Sequence, residues 1–278
     1  MQGAMNRSIL ITGCSSGIGL DAARTLKKRG WRVIATARTP ADITRLIDDE
    51  GLEVLHLELA DPVAIAACAD AALQMTNGKL DAIYSNAAYG QPGAVEDLTP
   101  ALLREQIEVN LIGTHDLTRR IIPAMRKNRS GRIVQCSSIL GFVAVAYRGA
   151  YCASKFALEG LTTAMRLELE GTGIKVAMIE PGPIRSRFVD TARARLEKNI
   201  DIQGSAHREV YLARLEGMKA GGKSFFKLEP AAVTKRLIHA LESPRPRRLY
   251  YVTTPTYLAA IFKRVMPPVA AENFAKRF

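Results

Sequence analysis

The stretch Thr12-Gly13-Cys14-Ser15-Ser16-Gly17-Ile18-Gly19 decides the fold, because its glycines lie between two segments of different periodicity. A short β-branched run, Ser8 to Thr12, comes before it, and apolar residues at helical spacing, Ile18 to Lys28, follow it. Glycines let a backbone approach a pyrophosphate closely, and the free N–H groups at a helix start favour its negative charge. The order of strand, glycine turn and helix therefore predicts a dinucleotide-binding loop, the alternative being a purely structural turn.

The rest of the chain alternates between strand-like and helix-like segments. Further strands are predicted at Trp31–Thr36, Leu52–Leu57, Leu80–Ser85, Gly131–Ser137 and Ile174–Glu180, and helices at Pro40–Asp49, Pro62–Met75, within Pro100–Met125 and at Tyr151–Glu170. Such alternation predicts an α/β fold with a doubly wound parallel sheet, covered by helices on both faces. From Pro183 to Pro230 the sequence becomes polar and arginine-rich, and we interpret it as mobile helices over the sheet.

Composition favours a single domain and excludes several classes of protein. The 278 residues are 47% hydrophobic and 24% charged, which suits one folded unit. Apolar runs such as Phe142 to Tyr147 are much shorter than the roughly 18 residues of a membrane span. The polar residues 1–7 lack the pattern of a secretion signal, which predicts a cytoplasmic location. The cysteines and histidines lack metal-binding spacing, so no metal site is expected.

Most of the net charge of +12 lies in the last third of the chain. Residues 184–278 hold 19 Lys and Arg against 8 Asp and Glu, and the apolar run Tyr257 to Phe262 is followed there by Lys263 and Arg264. We therefore predict a C-terminal apolar and basic extension, 249–278, that forms a cation-rimmed entrance and makes weak peripheral contact with anionic membranes. The alternative is that the extension packs on the body or on a neighbouring subunit.

The glycine loop has the spacing GxxxGxG, and in this it resembles the short-chain dehydrogenase/reductase family. Further motifs resemble that family in the same order along the chain. Tyr151 and Lys155 form a YxxxK pair whose side chains share one face of a helix. Ser138 lies 13 residues upstream of Tyr151 at a strand end, and Asn110 lies in the long predicted helix. The resemblance implies that Asn110, Ser138, Tyr151 and Lys155 are the catalytic residues.

The resemblance also implies how NADP(H) is bound. Arg38 follows the second strand where an acidic residue would bind a ribose hydroxyl, so Arg38, helped by Ser15, indicates the 2′-phosphate of NADP(H). Ser85 and Ala88 depart from the family's Asn-Asn-Ala-Gly motif, and Glu58 stands where an aspartate usually faces adenine. The implied cofactor-binding residues are Gly13, Ser15, Ser16, Gly17, Ile18, Gly19, Arg38, Glu58, Leu59, Asn86, Ala87, Ala88, Tyr151, Lys155, Pro181, Gly182, Ile184 and Ser186.

These residues imply hydride transfer between a nicotinamide and a carbonyl or alcohol carbon. Tyr151 is the expected acid in reduction, Ser138 the donor to the substrate oxygen, and Lys155 the cation that favours the phenolate and holds the nicotinamide ribose. By resemblance, Asn110 holds a water that links Lys155 to solvent. The segment Pro244 to Val252 resembles the retinol-dehydrogenase and 17β-hydroxysteroid-dehydrogenase-like branch, including bacterial NADP-dependent aldehyde reductases. This implies apolar or bulky carbonyl substrates such as long-chain aldehydes, retinoids or steroids.

The resemblance implies one Rossmann domain, 1–278, with seven strands in the order 3-2-1-4-5-6-7 and a variable substrate lid over 184–229. The family's two long helices imply a homo-oligomer, either a dimer or a tetramer. Two other functions stay open: reduction of a 3-oxoacyl thioester drawn to the basic last third, and a non-catalytic NADP(H)-sensing module. The module is disfavoured because all the catalytic positions are filled. Nucleic-acid binding is not expected, since no aromatic interleaving or recognised module accompanies the charge.

Overall fold

A seven-stranded parallel sheet forms the centre of the fold. The structure, a computed structural model, describes residues 7–219, 226–265 and 267. The strands are β1 (Ser8–Ile11), β2 (Arg32–Ala37), β3 (Glu53–His56), β4 (Ala82–Ser85), β5 (Gly131–Cys136), β6 (Ile174–Glu180) and β7 (Leu249–Tyr251). They lie in the order β3-β2-β1-β4-β5-β6-β7, and each neighbouring pair is parallel. The predicted doubly wound Rossmann sheet and its strand order are confirmed.

Helices connect the strands and flank the sheet. In the described part of the chain they are α1 (Gly17–Lys28), α2 (Pro40–Asp48), α3 (Pro62–Met75), α4 (Pro100–Ile107), α5 (Thr114–Lys127), α6 (Gly149–Glu168), α7 (Phe188–Asn199), α8 (Arg208–Lys219), α9 (Ala231–Glu242) and α10 (Thr254–Val265). Thr39 caps α2 and Thr99 caps α4, each accepting a hydrogen bond from an N–H group of the first turn. The prolines that follow these caps have a backbone angle suited to a helix start, which fixes where both helices begin.

The two faces of the sheet carry separate helix layers. Leu26 of α1 and Leu237 of α9 pack on one face, and Leu117 of α5 packs on the other. Successive residues of β1 alternate between them, since Ile9 belongs to the first cluster and Leu10 to the second. Both faces are thereby covered, and the carboxyl edge of the strands is the place where a ligand can reach the sheet.

The segment predicted as one long helix within Pro100–Met125 is divided. It forms α4, a π-helical turn over Glu108–Gly113, and α5. The side chain of Asn110 in that turn is drawn to the backbone of Tyr89, with hydrogen bonds of 3.1 and 2.9 Å. A π turn inserts one extra residue without disturbing the apolar pattern on either side, so the periodicity alone predicts a continuous helix.

The arginine-rich segment after Pro183 folds as α7 and α8. Leu196 and Tyr211 from these helices pack with Ala94 in a small third core. The predicted lid, 184–229, includes residues 220–225, which lie outside the described residues. The predicted extension comprises β7 and α10, and its residues 266 and 268–278 also lie outside them. None of the helices in the described part combines the length and the hydrophobicity that crossing a membrane demands.

Candidate active site

The glycine loop lies at the carboxyl end of β1 and packs tightly against the residues that follow β4. Gly13 and Gly17 have φ angles of 74° and 56°, a backbone conformation that side chains disfavour. A Cβ on Gly13 would lie 2.9 Å from Ala87 Cα. The Asn86 amide donates hydrogen bonds of 3.0 and 3.3 Å to the carbonyls of Thr12 and Gly13. The structure therefore brings the predicted loop together with the Asn86-Ala87-Ala88 motif.

The start of α1 has the features of a pyrophosphate site. Ser16 is the N-cap residue, yet its side chain makes no capping hydrogen bond, and the first turn holds no acidic residue. The side chain of Ile18 packs toward the core, and a Cβ on Gly19 would lie 2.8 Å from the Asn86 amide nitrogen. Uncapped N–H groups beside a backbone without bulky side chains fit the phosphates of a dinucleotide.

Cationic side chains surround the loop where the adenosine end of a dinucleotide is expected. Arg38 follows β2, is 65% exposed in its side chain, and forms a loose 3.7 Å ion pair with Glu58. The carbonyl of Ser15 accepts hydrogen bonds of 2.7 Å from Arg45 and 3.0 Å from Arg187. Neither of these two arginines was predicted from the sequence. For Arg45 the available signal was its position on the helix that directly follows Arg38.

Leu59 is placed differently from the other predicted adenosine-side residues. Its side chain is buried in the core on the α3 and α5 face of the sheet. The carboxyl of the neighbouring Glu58 accepts a hydrogen bond of 3.1 Å from the Ala60 N–H. A nucleotide could therefore meet only the backbone of Leu59.

Three of the predicted catalytic residues meet between β5 and α6. The side chain of Ser138 lies beside the Tyr151 hydroxyl and favours its ionised form. The Nζ atom of Lys155 lies 5.7 Å from the centre of the Tyr151 ring and donates a 2.7 Å hydrogen bond to the Cys136 carbonyl. The Ser138 hydroxyl also accepts a 3.1 Å hydrogen bond from the Leu140 N–H, which holds it at the strand end. An acid, a hydroxyl donor and a cation thus share one place.

Asn110, the fourth predicted catalytic residue, is 1% exposed and lies beside this group. Its amide nitrogen donates hydrogen bonds of 2.9 Å to the Tyr89 carbonyl and 3.1 Å to Ser154 Oγ. Ser154 belongs to α6, which also carries Tyr151 and Lys155. The side chain of Asn110 therefore joins the π turn to the catalytic helix, and its expected role in holding a water stays a prediction.

Burial sets the charge of Tyr151 and Lys155. It raises the pKa of Tyr151 well above the ordinary value, although the side chain of Ser138 acts in the opposite direction. Burial also lowers the pKa of Lys155, and the nearby carboxylate of Glu159 opposes that change. The phenol is thus held in its protonated form, which is the form that can donate a proton.

The loop after β6 contacts both the catalytic strand end and the glycine loop. The carbonyl of Pro181 accepts a 2.8 Å hydrogen bond from the Ile139 N–H. A Cβ on Gly17 would lie 2.9 Å from Ser186 Cβ. The residues between these contacts, 182–185, include the predicted Gly182 and Ile184, whose backbone therefore runs between the two halves of the site.

Phe188 at the start of α7 is a further site residue that was not predicted from the sequence. Its ring lies edge-on to Tyr151 with 5.3 Å between the ring centres, and a Cβ on Gly90 would lie 3.0 Å from Phe188 Cζ. The available signal was an aromatic residue two positions after Ser186, in a segment interpreted only as variable lid. Phe188 gives the catalytic tyrosine an apolar neighbour on the side of the lid.

The family model described as short chain dehydrogenase matches residues 7–197. The chain is 38% identical to the uncharacterized oxidoreductase YbbO of Escherichia coli K12, over 95% of this chain and 91% of the relative. It is 30% identical to human retinol dehydrogenase 8, over 87% and 80% of the two chains. It is 31% identical to human 17-beta-hydroxysteroid dehydrogenase type 1, over 94% and 81%. The predicted family and branch are thereby confirmed.

Two solved structures have the same fold over most of their length. A short-chain dehydrogenase from Streptomyces avermitilis has a TM-score of 0.76 at 26% identity, covering 95% of this chain and 96% of its own. A variant of the actinorhodin polyketide ketoreductase with NADPH has a TM-score of 0.71 at 27% identity, covering 89% and 95%. The glycine loop and the YxxxK helix therefore stand in a fold that holds a nicotinamide nucleotide in a similar protein.

Proposed function

The chain belongs to the short chain dehydrogenase family, and we propose that it is an NADP(H)-dependent oxidoreductase that reduces aldehydes or ketones to alcohols. The observation that carries this proposal is the meeting of Tyr151, Ser138 and Lys155 at the carboxyl end of β5. A protonated phenol, a hydroxyl donor and an ammonium group in one buried site match the needs of carbonyl reduction. The non-catalytic sensing module has no observation in its favour.

Reduction adds a hydride to the carbonyl carbon and a proton to the carbonyl oxygen, and bound NADPH supplies the hydride. Tyr151 donates its phenolic proton to that oxygen. Ser138 donates a hydrogen bond to the same oxygen as negative charge develops on it. The positive charge of Lys155 stabilises the phenolate left on Tyr151 until a proton returns from solvent. Oxidation of an alcohol runs through the same groups in the reverse order.

The preference for NADP(H) rests on the arginines near the adenosine end. Arg38 is largely exposed, and its only ion pair among the described residues is the long contact with Glu58. Arg45 and Arg187 both reach Ser15. Guanidinium groups bind phosphate through paired hydrogen bonds, so these side chains suit a 2′-phosphate better than a bare ribose hydroxyl. The other cofactor-binding residues predicted from the sequence belong to this proposal.

The proposed substrate is an apolar or bulky carbonyl compound, such as a long-chain aldehyde, a retinoid or a steroid. Phe188 lies against Tyr151, and the loop that follows Ser138 carries Phe142, whose ring lies 6.0 Å from that of Tyr251. Phe188 gives Tyr151 an apolar neighbour, and Phe142 and Tyr251 add apolar surface beside the loop that follows Ser138. The names of two relatives, a retinol dehydrogenase and a hydroxysteroid dehydrogenase, agree with such substrates.

A second candidate substrate, a 3-oxoacyl thioester, is favoured by a pair of arginines. Arg148 directly precedes α6, and Arg214 of α8 lies 4.5 Å from the centre of the Tyr147 ring. Neither has an ion pair with a carboxylate in the described part of the chain. Burial and the charge of Arg214 lower the pKa of Arg148. The phosphate of a phosphopantetheine-linked substrate would stabilise both guanidinium groups.

The surface of α10 suits weak contact with an anionic membrane. Leu258, Ile261 and Val265 are 44%, 56% and 71% exposed, and Arg264 lies between the last two. Such a helix can lie on a lipid surface without crossing it. Sedimentation with anionic vesicles at low and moderate salt tests the contact, and no binding at low salt would leave α10 as a structural element.

Two further expectations concern the whole protein. Ile112 of the π turn and Phe156 of α6 are 47% and 40% exposed, which suits burial in a dimer or tetramer. A cytoplasmic location agrees with the charge and the reduced cysteines. Sedimentation equilibrium of the full chain measures the oligomeric state, and a monomer at micromolar concentration would contradict the first expectation.

The test of the proposed function is oxidation of NADPH, and separately of NADH, with a panel of carbonyl compounds. The panel contains aliphatic aldehydes of increasing length, a retinal, a steroid ketone and a 3-oxoacyl thioester. Rising kcat/KM with chain length supports the apolar substrate, and a preference for the thioester favours the second candidate. Absence of turnover with every compound and both cofactors would overturn the proposal.

A further inference from the structure

Residues spaced four apart on α6 contact consecutive residues at the end of β5. The pairs are Tyr151 with Ser138, Lys155 with Cys136 and Glu159 with Ser137. In the third pair the Ser137 hydroxyl donates a 2.6 Å hydrogen bond to Glu159 Oε1. Because residues four apart share a helix face, Glu159 continues the row that begins with the two catalytic side chains. The first two pairs contain the residues that carry out the proposed reduction, whereas the proposed reduction assigns no role to the third pair.

Gly141 provides the space for the third pair. A Cβ at this position would lie closer than 3.0 Å to both Ser137 Oγ and Glu159 Oε1. The N–H of Gly141 donates a 2.8 Å hydrogen bond to the Ser138 carbonyl, so the loop turns back directly over the pair. The contact between Ser137 and Glu159 is therefore built into the same loop that holds the catalytic serine.

A buried carboxyl lies near the half-buried Glu159. Glu180 at the end of β6 is 1% exposed, and no hydrogen bond among the described residues reaches its Oε2 atom. Burial, followed by the charge of Glu159, raises the pKa of Glu180 to about 8. Burial also raises the pKa of Glu159, but the hydrogen bond from Ser137 favours its charged form. Near neutral pH Glu180 is therefore held protonated, and Glu159 is the carboxyl of the pair whose charged form a hydrogen bond favours.

Other charged or titratable groups face these carboxyls from every neighbouring element. They are Lys155 and Arg166 on α6, Tyr251 on β7 and Lys263 on α10. Lys263 lies on the outer side, with its Nζ atom 5.3 Å from the centre of the Phe156 ring and 5.8 Å from that of Phe142. Lys155 is the member of this set that belongs to the proposed catalytic site, and the thiol of Cys136 on β5 is the further titratable group that faces it.

We propose that Glu159 is a positioning residue for carbonyl reduction. Its carboxylate holds Ser137, and so the strand end that carries Ser138, and its negative charge keeps Lys155 protonated. Burial alone drives a lysine toward its neutral form, and a fixed negative charge one helical turn away opposes this. The inference rests on the proposed function, because the charge of Lys155 matters only when Tyr151 gives up its proton.

Substitutions separate the two parts of this role. Glu159→Gln keeps an oxygen that accepts the Ser137 hydrogen bond but removes the charge. Ser137→Ala removes the hydrogen bond but keeps the ionisable carboxyl of Glu159. Glu168→Gln, on the exposed surface of the same helix, is the matched control. For each variant, kcat and KM for NADPH-dependent reduction of one aldehyde are measured from pH 6 to pH 10.

In Glu159→Gln we expect the alkaline limb of the kcat profile to move about one pH unit toward lower pH, since Lys155 loses its proton more readily. In Ser137→Ala we expect kcat to fall about tenfold because Ser138 is less well placed, and the limb to move less than in Glu159→Gln because the carboxyl of Glu159 remains. Glu168→Gln is expected to match the wild type in both respects. KM for NADPH is expected to change little in all three variants.

The outcomes distinguish this inference from the proposed function. If the wild-type chain reduces an aldehyde and the limb stays in place in Glu159→Gln, Glu159 has no electrostatic role and the inference is wrong. If Glu168→Gln moves the limb equally, the effect belongs to the general charge of α6 and the inference is again wrong. If the wild-type chain reduces no carbonyl compound, the proposed function fails and the inference falls with it.

Discussion

Tyr151 and Lys155 are both buried, and burial acts on each in the same direction, toward the neutral form. For Tyr151 this keeps the proton that a reduction consumes. For Lys155 it weakens the charge that the resulting phenolate requires, so the lysine depends on nearby negative charge and on polar contacts such as the Cys136 carbonyl. The chemistry of the site is therefore decided by a few desolvated groups whose charges constrain one another.

Replacing the tyrosine removes the proton donor and leaves the dinucleotide loop intact. We expect Tyr151→Phe to lower kcat by about 100-fold or more, the usual contribution of a positioned acid. The dissociation constant for NADPH, measured by its fluorescence, is expected to stay within about threefold. Tyr257→Phe, which alters an exposed tyrosine on α10, is the matched control. Turnover of Tyr151→Phe near the wild-type rate would exclude Tyr151 as the acid.

The cofactor preference is also decided by single residues. We expect Arg38→Asp to raise KM for NADPH by about tenfold or more, because a carboxylate then repels the 2′-phosphate, while KM for NADH changes little. Initial rates with both nucleotides at a saturating aldehyde concentration give the comparison. Arg126→Asp, an exposed substitution on α5, controls for the change in net charge. Equal effects of Arg38→Asp on both nucleotides would argue against a phosphate contact.

At the scale of the element, hydrophobic periodicity and helix-capping residues predicted the bounds of segments whose structure depends on their own sequence. Both α3, at Pro62–Met75, and β6, at Ile174–Glu180, have the predicted bounds. In α3 a capping aspartate precedes a proline, and β6 is a nearly continuous apolar run. The glycine loop and the YxxxK pair were likewise identified, because each motif is defined by residues that lie close together in the sequence.

Features that depend on contacts between distant segments were not predicted. The π turn at Glu108–Gly113 forms as Asn110 bonds the backbone of Tyr89, 21 residues earlier. The Ser137–Glu159 pair spans 22 residues, and the contact of Phe188 with Tyr151 joins the lid to α6. No local pattern encodes such pairings, since each requires the relative placement of two elements.

Glycine has different effects at two positions of the chain: the backbone conformation of the loop requires it at position 13, whereas at position 160 it only makes a helix less stable. Gly13 has a positive φ and no room for a Cβ, whereas nothing lies within 4 Å of a Cβ built on Gly160 of α6. We expect Gly13→Ala to weaken NADPH binding at least tenfold and to lower the free energy of unfolding by about 1–3 kcal/mol. Gly160→Ala is expected to raise it by about 0.5–1 kcal/mol. Urea denaturation and NADPH titration measure both effects, and equal behaviour of the two variants would contradict this account of the loop.

At the scale of the whole molecule, charge is distributed unevenly between the interior and the surface. The excess of Lys and Arg lies in the last third of the sequence, whose segments form the lid, α9, β7 and α10. Beside α6, by contrast, lie two carboxyls, the half-buried Glu159 and the buried Glu180, with Lys263 of α10 on their outer side. The stability of the molecule is therefore coupled to pH through a carboxyl that the folded state keeps protonated.

The pKa of Glu180 is raised from 4.5 to about 8 by burial. Between these values the folded chain binds more protons at this residue than the unfolded chain does. The free energy of unfolding therefore falls as pH rises, by at most about 1.4 kcal/mol per pH unit from this group. Below about pH 4.5 both states hold the proton, and this residue adds no pH dependence.

Glu180→Gln keeps the neutral shape and cannot ionise, so we expect it to lose this part of the pH dependence. Urea denaturation of the wild type, Glu180→Gln and the exposed control Glu168→Gln at pH 6 and pH 8.5 measures the difference. The free energy of unfolding of Glu180→Gln should exceed that of the wild type by more at pH 8.5 than at pH 6. At pH 8.5 only the wild type must either bury a charged carboxylate or take up a proton when few protons are available. Parallel loss of stability in Glu180→Gln and the wild type between the two pH values would assign the dependence to another group.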